Sequence, residues 1–310
     1  MERSVFSAWA KFVVIVFSTI LIAACGGGGG GGGEPAADSN NGNGNNGSNG
    51  SGEQVDFSTQ SDAEITALAN ASLKFGELTK DRPGIQVNGQ PVLSLCNNIG
   101  GTQDSPSNPL GFGNYTFTNC EIVAGVFLNG LVNRSVSNVA TFDVQQSFTD
   151  FVTDDRNNNE KATINGSYYS STLFSSTEVT GSFSTNGGIL TIDFVSPAYS
   201  DIVGLENVDT TYADDLNNNV VRYDFSYTVS STFFAGSVSV STTTTVEYYY
   251  NLDEYPRAGV AVITGLNGGT IRVSALGDGS PTGLVRIETD ADGNGIYESS
   301  REITWTQFDS

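Results

Sequence analysis

The feature that most constrains this chain is a hydrophobic period of two residues. In Val221-Arg222-Tyr223-Asp224-Phe225-Ser226-Tyr227-Thr228-Val229 the odd positions are apolar or aromatic and the even positions are polar. Successive side chains of a strand point to opposite faces, so this pattern predicts a β-strand with one dry and one wet side. Val238, Val240, Thr242, Thr244, Val246, Tyr248 and Tyr250 repeat it, and shorter versions mark Phe142/Val144/Phe148, Leu190/Ile192/Phe194, Val260/Val262, Ile271/Val273/Ala275, Val285/Ile287 and Ile303/Trp305. Asn88-Gly89, Asn129-Gly130, Asn165-Gly166, Asn186-Gly187, Asn267-Gly268 and Asp278-Gly279 lie between or beside these runs and read as hairpin turns. Tight turns join antiparallel neighbours, because a parallel pair needs a long crossover. The expected fold is all-β: one large antiparallel meander over residues 57–310, in the form of a curved sheet, an open barrel or a sandwich. An outer-membrane barrel competes with it, and the Ser, Thr and charge on the wet faces argue against that alternative.

One segment keeps helical spacing. Ser61-Asp62-Ala63-Glu64 is a capping-box pattern, and Ile65, Leu68, Ala69 and Leu73 follow on one face up to about Lys74, which predicts a short helix lying on the sheet. The chain also repeats itself. Asp154-Asp155-Arg156-Asn157-Asn158-Asn159 and Asp214-Asp215-Leu216-Asn217-Asn218-Asn219 are offset by 214 − 154 = 60 residues and lead into similar Ser/Tyr/Thr strands. This predicts two copies of a multi-strand unit, at about 139–198 and 205–265.

The N-terminal part has a different character. Arg3 and Lys11 precede an uncharged apolar run from Phe12 to Ala24, followed by Cys25. The run is short for a permanent membrane span and reads as a secretory signal over residues 1–24. Ile22-Ala23-Ala24-Cys25 resembles the lipobox of bacterial lipoprotein precursors, and the resemblance implies cleavage before Cys25 and acylation of that residue. In such lipoproteins an Asp after the cysteine favours retention in the inner membrane. Gly26 stands there, so the expected location is the cell envelope, at the outer membrane where there is one. Gly26 to Gly33 and the following Asn/Gly/Ser tract cannot bury apolar surface, which makes residues 25–56 a flexible tether. Its reach is on the order of 30 Å by square-root scaling.

Composition excludes several chemistries. The chain has no histidine, which removes His-based nucleophilic catalysis and His-ligated metals or haem. Its 13 Lys+Arg against 34 Asp+Glu, a net charge of −21, repel nucleic acid. Cys96 and Cys120 are the natural disulfide pair of an exported domain, closing the Gly/Pro/Asn-rich segment 97–119 and stabilising it by roughly 3 kcal/mol. The stretch from Asn119-Cys120 to Leu128-Asn129-Gly130 resembles Gly/Asn-rich bacterial lipoproteins of no assigned activity. The sharpest motif is Asp290-Ala291-Asp292-Gly293-Asn294-Gly295-Ile296-Tyr297-Glu298. Oxygen donors at alternate positions followed by glycine match the first half of a calcium loop, with Asp290, Asp292, Asn294, the Ile296 carbonyl and Glu298 as ligands; the plain alternative is an acidic turn. The position of the bidentate Glu in an EF-hand holds Arg301, so an EF-hand is excluded. The loops at Asp154 and Asp214 are weaker calcium candidates. Asp154/Asp155, Asp214/Asp215 and Asp253/Glu254 are the adjacent carboxylates a hydrolase could use, and Tyr248, Tyr249, Tyr250 and Tyr255 near Arg257 the rings that could stack on sugars.

These features predict a lipid-anchored envelope protein acting as a non-catalytic binding or structural module. A carrier of an apolar ligand in a half-closed sheet is the alternative, with Tyr223, Phe225, Tyr227, Val246 and Tyr248 facing the ligand and the 61–74 helix as its cap. A carboxylate-dependent hydrolase comes last. Calcium is the one cofactor indicated. The membrane and an unidentified protein, glycan or lipid are the expected partners, and nucleic acid is not.

Overall fold

The computed structural model describes residues 53–73, 102–104, 113–138, 143–197, 200–249 and 252–309. The leader, Cys25, the tether to residue 52, Asn88-Gly89 and Cys96 lie outside the described residues. The strands are β1 (Thr102–Asp104), β2 (Gly113–Val123), β3 (Val126–Asn138), β4 (Asp143–Asp155), β5 (Glu160–Phe174), β6 (Glu178–Ser184), β7 (Ile189–Val195), β8 (Ser200–Asp215), β9 (Val220–Ser231), β10 (Gly236–Tyr249), β11 (Ala258–Thr264), β12 (Thr270–Ala275), β13 (Leu284–Asp290) and β14 (Ser299–Thr304). They form one antiparallel sheet in which strands pair with their sequence neighbours everywhere except between β6 and β7, so the fold is the expected all-β meander. β6 and β7 are two collinear halves of one broken strand. Both run antiparallel to β5 on one side and to β8 on the other.

The dry face carries a single core cluster running from Tyr115 and Phe117 on β2 to Val285 and Ile287 on β13. Two helices join it: α1 (Asp62–Leu73) and a single turn, α2 (Trp305–Phe308). The Ser61/Glu64 box closes the start of α1, with the Ser61 N–H donating to the Glu64 carboxylate at 2.7 Å. Ile65, Leu68 and Ala69 are buried, and α1 lies over β10, β11 and β12. Its far end is held by the Tyr227 hydroxyl, which donates to the Ser72 carbonyl at 2.6 Å. Arg301 of β14 bonds the other end through Asp62 and Thr66.

Several expectations are corrected. Trp305, read as a strand residue, opens α2, because Thr304 and Gln307 form a reciprocal capping box. Val55, assigned to the tether, is buried; its N–H bonds the Ser237 carbonyl and its own carbonyl accepts from Leu266. Ala261 and Ile263 face the core in place of Val260 and Val262, and Thr244 is exposed. Thr244 turns outward at a register irregularity between β10 and β11, whereas Ala261 and Ile263 face inward because β11 pairs them with Val273 and Ile271 of the core.

The Asn-Gly pairs divide into two groups. Asn267-Gly268 and Asp278-Gly279 do lie in connections, between β11 and β12 and between β12 and β13. Asn129-Gly130 and Asn165-Gly166 instead sit in mid-strand, and Asn186-Gly187 lies in the break between β6 and β7, after which the chain continues in the same direction. They mark a line of bulges. On β2, β4 and β8, Asn119, Asp150 and Asn207 adopt left-handed backbone at φ 46°, 45° and 51°, each beside a register shift. The Asn129 carboxamide accepts the Asn119 N–H at 2.8 Å, and that of Asn165 accepts the Asp150 N–H at 2.7 Å. Gly130 and Gly166 face the bulges with φ of 101° and 111°, and a Cβ on either would lie 2.2 Å from a backbone oxygen of the next strand. Each extra residue flips the parity of its strand, so that on β4 Val144, Gln146 and Phe148 are followed by Phe151 and Thr153 on the same buried face.

Candidate functional site

The 290–298 loop connects β13 to β14 and is built by its own side chains. Buried Asp290 accepts the N–H groups of Asn294 at 3.1 Å and Gly295 at 2.8 Å. The Asp292 carboxylate also receives the Asn294 N–H, the Asn294 side-chain oxygen takes that of Ile296, and Glu298 takes that of Ala291. Gly293 and Gly295 supply the left-handed positions such a turn needs, at φ 72° and 87°. Arg272 lies over the Tyr297 ring at 4.2 Å and ties the loop to the wet face of β12. Of the expected ligands, one oxygen each from Asp290, Asp292 and Glu298 lie within 4.8 Å of one another. That spread suits oxygens around an ion with calcium's 2.3–2.6 Å contacts. Asn294 is engaged with Ile296, whose side chain is exposed.

The two repeated loops are hairpin ends with the same hydrogen bonds. Asp155 accepts from the Asn157 and Asn158 backbones and the Asn158 amide, and Asp215 does so from Asn217 and Asn218. These bonds hold the Asp215 carboxyl below its ordinary range, the Asn218 side-chain bond contributing most. Asp154 pairs with Arg156 at 3.0 Å. Asp253 clamps Arg257 through both of its oxygens, at 2.8 and 3.0 Å, and accepts the Tyr249 N–H at 2.7 Å. The Arg257 guanidinium lies 4.0 Å from the centre of the Tyr249 ring. Tyr255 stacks on Trp305, and Tyr248 is buried edge-on to Tyr223. Asp155, Asp215 and Asp253 thus spend their oxygens holding turns.

The residues proposed to line a ligand cavity, Tyr223, Phe225, Tyr227, Val246 and Tyr248, are all buried in the shared core, and Tyr227 bonds α1. Cys120 is fully buried on β2; its expected partner, Cys96, is outside the described residues.

Across the wet face runs a groove of about 510 Å³ over β5, β6, β8, β9 and β10. Its polar lining includes Ser171, Thr180, Ser182, Thr211, Arg222 and Asp224.

No family model, curated protein or solved structure matches the chain.

One buried polar row was not anticipated. Arg134 on β3 stands opposite Gln146 on β4, which stands opposite Tyr168 on β5. All three are on the dry face, exposed by 2%, 1% and 2%. The Tyr168 hydroxyl donates to the Gln146 carbonyl oxygen at 3.1 Å. The Gln146 amide nitrogen and the Nε and Nη1 atoms of Arg134 are buried with no hydrogen-bond partner. Burial lowers the Arg134 pKa from its ordinary value and pushes those of Tyr168 and Tyr115 up. The signal was present in the sequence. Arg134 interrupts Val132-x-Arg134-x-Val136, and Gln146 interrupts Val144-x-Gln146-x-Phe148, each at a dry position.

Proposed function

We propose that this protein is a lipid-anchored bacterial envelope protein whose β domain is a non-catalytic binding or structural module. The observation that carries the reading is the filled interior. The aromatic side chains that a carrier would turn toward its ligand are buried and pack on one another, with Tyr223 and Tyr248 at 5.8 Å and Phe225 and Tyr227 at 5.7 Å. Engagement of Asp155, Asp215 and Asp253 with their own turns supports it further, since a glycosidase needs two carboxyls facing one another across a cleft. The Ser/Thr-lined wet groove suits a polar partner such as a glycan or a peptide.

The leader supplies the anchor, and a Cys96–Cys120 disulfide braces the first strands. Mass spectrometry of the mature protein is expected to find an acylated Cys25 at the N-terminus, and Cys25→Ser is expected to move the protein out of the membrane fraction. Solvent extraction of the purified protein separates module from carrier: stoichiometric lipid in the extract would replace this reading with the carrier.

The convergence of Asp290, Asp292 and Glu298 favours a second property of the same module, weak calcium binding at the β13–β14 loop. Extracellular modules bind calcium at about 10⁻⁴–10⁻³ M, so roughly 5 mM calcium should raise the melting temperature by mass action. Asp292→Asn with Glu298→Gln should remove that rise and leave Asp290 to hold the turn. A melting temperature indifferent to calcium assigns the loop to the acidic turn alone.

A further inference from the structure

We propose that Arg134, Gln146 and Tyr168 form a buried recognition site for the carboxylate group of a small organic ligand.

Arg134 places a charge in an apolar setting. An arginine guanidinium stays protonated and carries five donors and no acceptor, so burying it without partners is costly. Arg134 is only 2% exposed, and its Nε and Nη1 donate to nothing. This chain has 34 Asp and Glu residues, more than enough to supply a counter-ion by a single substitution. Yet among the described residues the groups that act electrostatically on Arg134 are the hydroxyls of Tyr168 and Tyr115. Both phenols are driven toward their neutral, hydrogen-bond-donating form by burial. The Gln146 carbonyl is taken by Tyr168, which leaves its amide nitrogen as one more idle donor beside the guanidinium. Among the described residues the row therefore offers donors, a single positive charge and no remaining strong acceptor. The β2 residue in register with Arg134 is Gly113, which contributes no side chain of its own.

The missing component is an oxyanion, and the charge balance selects its class. One carboxylate neutralises one guanidinium, whereas a phosphate dianion would leave a net negative charge among Tyr115, Val132, Val144 and Phe148, all of them buried. The same apolar and aromatic surroundings suit a carboxylate carrying a hydrocarbon or aromatic body. This row is separate from the wet-face groove and from the 290–298 loop, so its failure would leave the module reading in place.

The test is thermal unfolding of the mature protein in chloride, acetate, benzoate and phosphate at constant ionic strength. The expected result is a saturable rise in melting temperature with the carboxylates, larger for benzoate, and on the order of 5 °C at a hundredfold excess over the dissociation constant. Arg134→Met should abolish that rise while melting above the native protein in carboxylate-free buffer, because it removes an unpaired buried charge from an apolar setting. Gln146→Leu keeps the guanidinium and removes the second donor, and should weaken the response at least tenfold in concentration; it carries the test if Arg134→Met does not fold. Equal curves in chloride and carboxylate, a larger rise with phosphate, or an undiminished response in both variants would each overturn the proposal.

Discussion

The run from β2 to β8 and the run from β11 to β14 belong to one sheet but solve its geometry differently. In the C-terminal run the strands are 6 or 7 residues long, and the three pairings β11–β12, β12–β13 and β13–β14 proceed without a register break. Charges stand directly opposite each other on its wet face, Arg272 with Glu288 and Arg286 with Glu302. In the earlier run β4, β5 and β8 reach 13, 15 and 16 residues, and the pairings β2–β3, β3–β4, β4–β5 and β8–β9 are all interrupted by a register shift. Twist accumulates along a strand, so long strands kept in one sheet need places to bend, and bulges provide them. The short run needs none. The same Asn-Gly dipeptide is therefore a bend in one region and a turn in the other.

The largest effect expected from this contrast is at Phe151, fully buried where the bulge line crosses β4 and in ring contact with Phe117 and Phe148. Phe151→Ala should cost about 3–5 kcal/mol in urea unfolding. A pair of glycines sharpens the comparison. At Gly130 an alanine methyl would meet the Asp150 carbonyl at 2.2 Å, on top of the left-handed strain, whereas at Gly268, φ 80°, it would meet nothing within 4 Å. Gly130→Ala should cost about 2–3 kcal/mol or more and Gly268→Ala about 1 kcal/mol, close to the conformational cost alone. Equal losses would show that the bulge is not a tight clamp.

Asp253 sits where the irregular β10 passes into the regular run. Burial on its own would raise its pKa, but the bond from Arg257 and that from the Tyr249 N–H outweigh it and hold the carboxyl below its ordinary value. A lowered folded pKa contributes stability that is present above the unfolded pKa of about 4 and is lost as the pH falls through the folded value. Asp253→Asn should cost about 1–2 kcal/mol near neutrality and less with acidification, so the mutant and native curves should converge at low pH. A constant difference would remove the carboxylate's charge from the explanation. The smallest effect is expected at the exposed Arg286–Glu302 pair: a double-mutant cycle to alanine should give a coupling smaller than any of the losses above, shrinking with added salt.

Much of the fold was legible because its determinants are local. Alternation along β9 and β12, the capping box at Ser61, and the Asp-led loops at 154 and 214 each act within a few residues. The convergence of Asp290, Asp292 and Glu298 was legible for the same reason, since one turn holds all three. What a residue pattern cannot show is its partner. Asn129-Gly130 and Asn267-Gly268 are the same two letters; the first bends a strand because Asp150 and Asn119 lie beside it, and the second closes a hairpin. Arg134 and Gln146 could be seen as polar residues at dry positions, but they come from different strands and only the β3–β4 register sets them face to face. The sequence by itself determined the two-faced strands and their antiparallel order, because backbone geometry and hydrophobic period operate over short range. Only the tertiary structure decided where the sheet bends and which buried polar groups meet, because both depend on contacts between strands.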